Sequence, residues 1–300
     1  MFNLPIGINI DHLIDDLRTL SWEAADIFNY YSMAIENDRV SYDFIQNKEN
    51  NDPVTLADLR VNELIIQRFR ERYKNTHWDL LSEENGLIRF HNDVGVADWL
   101  WVLDPLDGTK DFIQKTSNYA LHLALNYKNR PFIGVVLIPA REELWISNQN
   151  MTWCENKNKI EKKVKLSDTK NIEDMIVVTS KNHKNKMLNE IINIVGFKES
   201  IVMGSIGCKV ASILRGESDI FISLSLPGQS SPKDWDFAAP ESLLKSAGGA
   251  ITNIENQELI YNSPHYRQEG LIIASNDISN HKIICEQIKK IIMENMMYPF

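Results

Sequence analysis

The feature that most constrains this chain is the run from Trp99 to Thr109. Trp99-Leu100-Trp101-Val102-Leu103 reads as a buried strand, and it leads directly into Asp104-Pro105-Leu106-Asp107-Gly108-Thr109. A buried strand that delivers two carboxylates onto a turn shaped by proline and glycine is costly unless something compensates their charge. A hard divalent cation does so, and Mg²⁺ prefers carboxylate and carbonyl oxygens while keeping several waters. The tight turn lets Asp104, Asp107 and the Leu106 carbonyl converge. Thr109 is then placed to start a helix and to offer its hydroxyl to a water or a phosphate.

The rest of the chain supplies layers around that strand. Ile10 to Glu36 reads as a long helix, with Leu13, Leu17, Trp22 (or Leu20), Ala24 and Phe28 at near-helical spacing. A second helix is predicted from Leu56 to Tyr73, with Val61, Ile65 and Phe69 four apart. Strand-like runs follow at 78–81, 99–103, 119–125, 132–138 and 143–146, which suggests an α+β half with an antiparallel sheet. The Lys- and Asn-rich stretch 156–164 reads as a solvated connector or edge. Beyond it strands (175–179, 200–203, 219–224, 271–274) alternate with helices (184–195, 207–215, 236–247, 279–294), as in an α/β layer. The expected organisation is two subdomains, residues 1–150 and 151–300.

Composition narrows the setting. Hydrophobic residues at 43% and charged residues at 24% are those of a folded globular chain. No apolar run approaches the roughly 18 residues a membrane helix needs, and the N-terminal segment lacks the basic and apolar regions of a secretory signal. Three scattered cysteines, Cys154, Cys208 and Cys285, suit neither a disulfide framework nor a zinc cluster. A cytoplasmic protein is expected. A net charge of −9 argues against broad nucleic-acid binding, but not against small anions, because a bound metal reverses the local field.

Two further acidic positions matter. Glu83-Glu84 follows the strand 78–81, and Asp236 lies in Lys233-Asp234-Trp235-Asp236 at the start of an apolar helix. Alone, Glu83-Glu84 is a surface pair and Asp236 a helix cap that complements the dipole; the combination with Asp104 and Asp107 raises both. The Asp-x-Asp-Gly-Thr spacing of the haloacid-dehalogenase phosphatases does not fit, because two residues separate Asp104 from Asp107.

In this order and separation, Glu83-Glu84, Asp104-Pro-Leu-Asp-Gly-Thr109 and Trp235-Asp236 resemble the inositol monophosphatase superfamily, over roughly residues 10–275. The resemblance implies a layered αβαβα sandwich, two or three Mg²⁺ ions and hydrolysis of a phosphate monoester. It makes Glu83, Asp104, the Leu106 carbonyl, Asp107 and Asp236 the metal ligands. The segment Val54-Thr55-Leu56-Ala57-Asp58 resembles the family's Val-Thr-x-x-Asp, whose aspartate, with Thr109, activates the attacking water. Thr55-x-x-Asp58 is also a capping-box pattern, and both roles can hold at once.

Within the superfamily, the C-terminal half is most like the 3′(2′),5′-bisphosphate nucleotidases. Thr179-Ser180-Lys181-Asn182-His183 resembles their Ser/Thr-Arg-Ser-His, Gly204-Ser-Ile-Gly-Cys-Lys209 their Gly-Gly-Ala-Gly-Asn-Lys, and Lys233-Asp-Trp-Asp their Lys-Lys-Trp-Asp. Arg215-Gly216 stands where they have Glu-Gly. A substrate with two phosphates needs one on the metals and a separate pocket for the other. A glycine-containing strand-to-helix turn exposes N–H groups at a positive helix end, and Lys209 adds a mobile point charge. The resemblance thus implies contacts to the substrate from Gly108, Thr109, Ser180, His183, Ser205, Lys209 and Asp236. Singly, Lys209 reads as a solvated lysine and His183 as a helix cap. The expected activity is hydrolysis of adenosine 3′,5′-bisphosphate by a monomer or homodimer. An inositol- or sugar-phosphate phosphatase and a non-catalytic nucleotide- or metal-binding regulator are the alternatives.

Overall fold

The computed structural model describes the chain apart from residues 1–3, 6, 38–43, 48–52, 91–96, 182–185, 227 and 298–300. Helix α1 (Ile10–Glu36) is started by Asn9, whose Oδ1 accepts the N–H groups of Asp11 and His12 at 2.8 and 3.1 Å. Its buried stripe includes Leu13, Leu17, Leu20, Ala24 and Phe28, and the half-buried Trp22 packs at the margin. After the short antiparallel pair β1 (Ile45–Asn47) and β2 (Pro53–Thr55) comes α2 (Leu56–Arg72), which buries Val61, Ile65 and Phe69 as its spacing predicts.

The first sheet has eight strands. They are β3 (Trp78–Ser82), β4 (Gly86–Arg89), β5 (Trp99–Asp107), β6 (Ala120–Tyr127), β7 (Arg130–Ile138), β8 (Glu143–Asn148), β9 (Met151–Glu155) and β10 (Glu161–Lys162). The spatial order is β10-β9-β8-β7-β6-β5-β3-β4, antiparallel except where β3 runs parallel to β5. Short α3 (Thr109–Ile113) leaves the end of β5. The second sheet joins β11 (Ile176–Ser180), β12 (Glu199–Met203), β13 (Ile220–Ser225), β14 (Ala250–Asn253) and β15 (Gly270–Ser275) in the order β12-β11-β13-β15-β14. It is mixed: β11 is parallel to β12 and β13, and β15 is antiparallel to β13 and β14.

Side-chain alternation assigns the layers. On β5 and β6, Trp101, Leu103, Leu121, Leu123 and Leu125 pack with α1 and α2. Leu100, Val102, Ala120 and Ala124 face the other way, onto α5 (Ile206–Leu214) and α6 (Asp234–Ser246). Those two helices also meet Val178, Phe221 and Ile272 of the second sheet. The outer face of that sheet is covered by α4 (Lys186–Val195) and α7 (Ile278–Glu294). The result is the αβαβα sandwich.

The changeover between the two sheets lies later than residue 150. The first sheet continues past residue 150 through β9 and β10, so the changeover expected there falls between Lys162 and Ile176, and α5 and α6 share one core with both sheets. The charged pair Glu161-Lys162 forms the outermost strand, a short charged edge that blunts further pairing. The aromatic residues Trp145 and Tyr261 are core, 0% and 2% exposed.

Candidate active site

Strand β5 does not end at Leu103; it carries both aspartates to Asp107 with a bulge. Asp104 lies opposite His122 of β6 and Asp107 opposite Ala120, so three steps along β5 match two along β6. In an unbroken strand, residues three apart point to opposite faces. The extra residue cancels that alternation and puts both carboxylates on the face that carries Ala120 and His122, towards α5 and α6. Gly108, at φ +91°, then turns the chain into α3, and a Cβ there would come within 2.8 Å of the Asn118 carbonyl oxygen. Both the left-handed backbone and the crowding require glycine.

Asp236 arrives from a different element. It occupies the first turn of α6, where its Oδ2 accepts the Lys233 N–H, so the capping role read from sequence is real. The same position brings it to β5: carboxylate oxygens of Asp104, Asp107 and Asp236 lie within 4.8 Å of one another. Glu83, just beyond β3, lines the same cavity, and its side chain is within hydrogen-bonding reach of Asp104. The Leu106 N–H donates to Asp104 Oδ1 at 3.0 Å, and the Leu106 carbonyl accepts from Thr109 Oγ1 at 3.0 Å.

Burial and crowding set the charge of this group. Asp104 is held well above the usual carboxylate range, first by desolvation and then by the charges of Glu83, Asp107 and Asp236. Asp236 is raised for the same reasons, with desolvation again largest and Asp107 next. Such a cluster of hard oxygen donors is unfavourable by itself and is the donor set that suits Mg²⁺. Glu83, Asp104, Asp107, Asp236 and the Leu106 carbonyl could hold it.

Asp58 stands at the edge of this group. Its Oδ2 accepts the N–H and the hydroxyl of Thr55, at 2.8 and 2.5 Å, which completes the capping box of α2. Its Oδ1 faces Thr109 Oγ1 at 3.3 Å. Burial pushes this carboxyl up to about 7 against the two bonds from Thr55, and the charges of Glu83 and Glu84 add to the rise. A group titrating near neutrality is suited to proton transfer at physiological pH.

The α5 turn closes the site. The Ile206 N–H donates to Asp107 Oδ2, so the helix start engages a carboxylate of this chain. Ser205 adopts φ +40° as the N-cap, and its hydroxyl accepts the Cys208 N–H at 3.2 Å. Lys209 is not the mobile charge expected from sequence. It is 3% exposed, its Nζ donates to the Ser205 carbonyl at 3.3 Å, and it lies over the Phe221 ring at 5.4 Å. Desolvation lowers its pKa, while Asp107 and other acidic neighbours oppose the shift. Gly108, Thr109, Ser180, Ser205, Lys209 and Asp236 line one cavity of about 850 Å³ together with Glu83, Asp104 and Asp107. His183 lies outside the described residues. Arg215 bonds Glu143 at 2.8 Å and Glu217 at 2.7 Å, which ties α5 to β8.

His122 is absent from the sequence-derived set. It is fully buried on β6, with Nε2 3.3 Å from Asp107 Oδ2 and accepting the Gly207 N–H at 3.1 Å. Its Nδ1 is 3.4 Å from the Trp235 carbonyl oxygen. A neutral ring with the proton on Nδ1 serves both contacts, and burial lowers its pKa. One histidine thus joins β6 to α5 and α6 beside two of the carboxylates. The available signal was Ala120 and Ala124 on either side of it, small residues at period two that leave room for helices to approach.

Comparison with known proteins identifies the family and the fold. The sequence profile of the Inositol monophosphatase family matches residues 13–293. Nus factor SuhB of Pseudomonas aeruginosa is 27% identical over 240 residues, 77% of this chain and 81% of that protein. The 3′(2′),5′-bisphosphate nucleotidase CysQ of Haemophilus influenzae is 24% identical over 267 residues, 87% and 93% respectively. Among solved structures, the Thermotoga maritima IMPase has the same fold, with a TM-score of 0.72 at 20% identity over 95% of this chain and 99% of that one.

Proposed function

The chain belongs to the inositol monophosphatase family of Mg²⁺-dependent phosphatases, and from that premise we propose that it is a 3′(2′),5′-bisphosphate nucleotidase that hydrolyses adenosine 3′,5′-bisphosphate to AMP and phosphate. The observation that carries the reading is a single cavity lined by two chemically different sets of side chains: four carboxylates (Glu83, Asp104, Asp107, Asp236), and the hydroxyl and ammonium groups of Ser180, Ser205, Lys181 and Lys186. The former suits a cation-bound scissile phosphate and the latter a second anionic group. The match to a CysQ relative over 87% of the chain supports the same choice.

Mg²⁺ bound by Glu83, Asp104, Asp107, Asp236 and the Leu106 carbonyl would offset the charge of the scissile phosphate and lower the pKa of the attacking water. The chain's own residues do the rest. Thr55 occupies Asp58 Oδ2, which leaves Oδ1 to take a proton relayed through Thr109 Oγ1. The one proton of the Thr109 hydroxyl can go to the Leu106 carbonyl at 3.0 Å or to Asp58 Oδ1 at 3.3 Å, and the relay uses the second of these. The N–H of Ile206 fixes Asp107, while the first turn of α6 fixes Asp236.

A second reading, a phosphatase of inositol or sugar phosphates, is favoured by the description of the matched family itself, Inositol monophosphatase, and the CysQ relatives are no closer in sequence than the SuhB ones. Phosphate release in Mg²⁺ from adenosine 3′,5′-bisphosphate, inositol 1-phosphate and hexose phosphates separates the two. A kcat/KM at least tenfold higher for the adenosine bisphosphate is expected; a preference for inositol 1-phosphate overturns the assignment. Binding of the nucleotide in Mg²⁺ without phosphate release would identify a regulator instead.

A further inference from the structure

Lysines contribute to the cavity well beyond Lys209. In a chain of net charge −9, Lys110, Lys181, Lys186, Lys209 and Lys233 all line it. Two of them are committed to the protein's own backbone: Lys209 to the Ser205 carbonyl, and Lys233 to the His265 carbonyl at 3.0 Å. Lys181 is placed differently. Its Nζ donates to Gln114 Oε1 at 2.9 Å and sits 3.7 Å from Asp111, whose side chain is fully buried and accepts the Thr116 hydroxyl at 2.6 Å. Asp111 fits there because residue 204 is glycine: a Cβ at Gly204 would come within 2.2 Å of Asp111 Oδ2. The glycine therefore has a use beyond the turn: it admits the carboxylate that anchors a lysine at the cavity wall. Lys110 on α3 and Lys186 on α4 line the same cavity.

We propose that Lys110, Lys181 and Lys186 form the subsite for the second anionic group of the substrate, with Lys181 as its preorganised centre. The proposal rests on the bisphosphate reading above and changes its detail: Lys209, buried and bonded to its own helix, acts as a fixed counter-charge to the carboxylates, and the cations that meet the distal phosphate are these three. An anchored ammonium loses less freedom on binding than a solvated one, and a charge-assisted bond to phosphate is stronger than a neutral one.

The test uses the full chain with Mg²⁺ and the variants Lys181→Ala, Lys186→Ala and Lys110→Ala, with Lys181→Arg as the charge-preserving control and thermal melting as the check of folding. Two readouts are taken: KM and kcat for adenosine 3′,5′-bisphosphate against inositol 1-phosphate, and inhibition by AMP, which carries only the distal phosphate. Loss of Lys181 should raise KM for the bisphosphate about tenfold or more relative to the monophosphate, with a parallel rise in the AMP inhibition constant that Lys181→Arg largely reverses. Equal effects on both substrates, or an AMP inhibition constant unmoved in all three variants, overturn the subsite. Should the wild type lack a bisphosphate preference, the nucleotidase reading falls, and the AMP measurement still decides the lysines separately.

Discussion

Asp58 serves a helix and a site with different oxygens of one carboxylate. Oδ2 closes the capping box with Thr55, and Oδ1 faces Thr109. Asp58→Asn should therefore lower kcat by about 10²- to 10⁴-fold and remove the acid limb of the pH–rate profile, at a stability cost of about 1 kcal/mol or less; steady-state rates and urea melts measure both. A near-normal kcat would return Asp58 to a purely structural role. His281 offers a pH test far from the carboxylates. It is buried between Thr252 Oγ1 at 2.8 Å and Ser275 Oγ at 2.7 Å, and desolvation lowers its pKa to about 4. A histidine depressed on folding contributes stability fully above its unfolded pKa of about 6.5, and loses it as pH falls towards 4, by up to about 3 kcal/mol. Between pH 7 and 5 a His281→Gln variant should lose less stability than the wild type, so an identical loss in both refutes the assignment. At this scale the sequence was most informative where bonds are local. Thr55 and Asp58 are three residues apart, and their pairing is visible as a pattern, whereas His122 acquires meaning only from Asp107, Gly207 and Trp235, brought in from three other segments.

Among the elements, β5 and α6 decide where the carboxylates meet. The bulge between Asp104 and Asp107 reconciles their spacing with their geometry: three apart on an unbroken strand they would point to opposite faces, and the extra residue puts both on one. Helix α6 reaches the sheet because residue 134 of β7 has no side chain; a Cβ there would lie 2.6 Å from the Ala239 carbonyl oxygen and 2.7 Å from Ser242 Cβ. Gly134→Ala should destabilise the fold by about 1–3 kcal/mol or more, read as a lowered urea midpoint, and should weaken Mg²⁺ binding because Asp236 rides on the displaced helix. Ser205→Gly tests the α5 turn in the opposite direction. Glycine costs only a few tenths of a kcal/mol as a cap, and it relieves a left-handed backbone worth about 1–2 kcal/mol to a non-glycine residue. The variant should be as stable as the wild type or more so; a clear loss would mean that the Ser205 hydroxyl matters more than the strain at φ +40°. Most long elements were legible from their periodicity, including α1 to the residue. Short strands such as β4, β10 and β14 were not, because a few residues carry too little alternation to stand out from loops.

For the molecule as a whole, the carboxylate cluster sets stability against function. Without a cation, Asp104 and Asp236 are buried near other acids and resist ionisation. Asp104→Asn should therefore be as stable as the cation-free wild type at pH 7, or more so, yet lose most phosphatase activity. The wild type should gain about 2.7 kcal/mol at a Mg²⁺ concentration a hundredfold above its Kd, and the variant should gain little. Thermal melts with and without Mg²⁺ check this, and an equal Mg²⁺ shift in both proteins would remove Asp104 from the ligand set. The amino-acid order by itself determined the kinds of element, the αβαβα layering through resemblance, and the identity of the acidic residues, since helical spacing, buried strands and an Asp-Pro-Leu-Asp-Gly-Thr run are written within short stretches of chain. Only the tertiary structure decided that Lys209 is buried and bonded, that Lys181 is anchored by Asp111 through the space at Gly204, and that the first sheet extends to Lys162. Those outcomes depend on which distant segments come into contact, and burial, with the charge shifts it imposes, is a property of that contact rather than of any residue's neighbours in sequence.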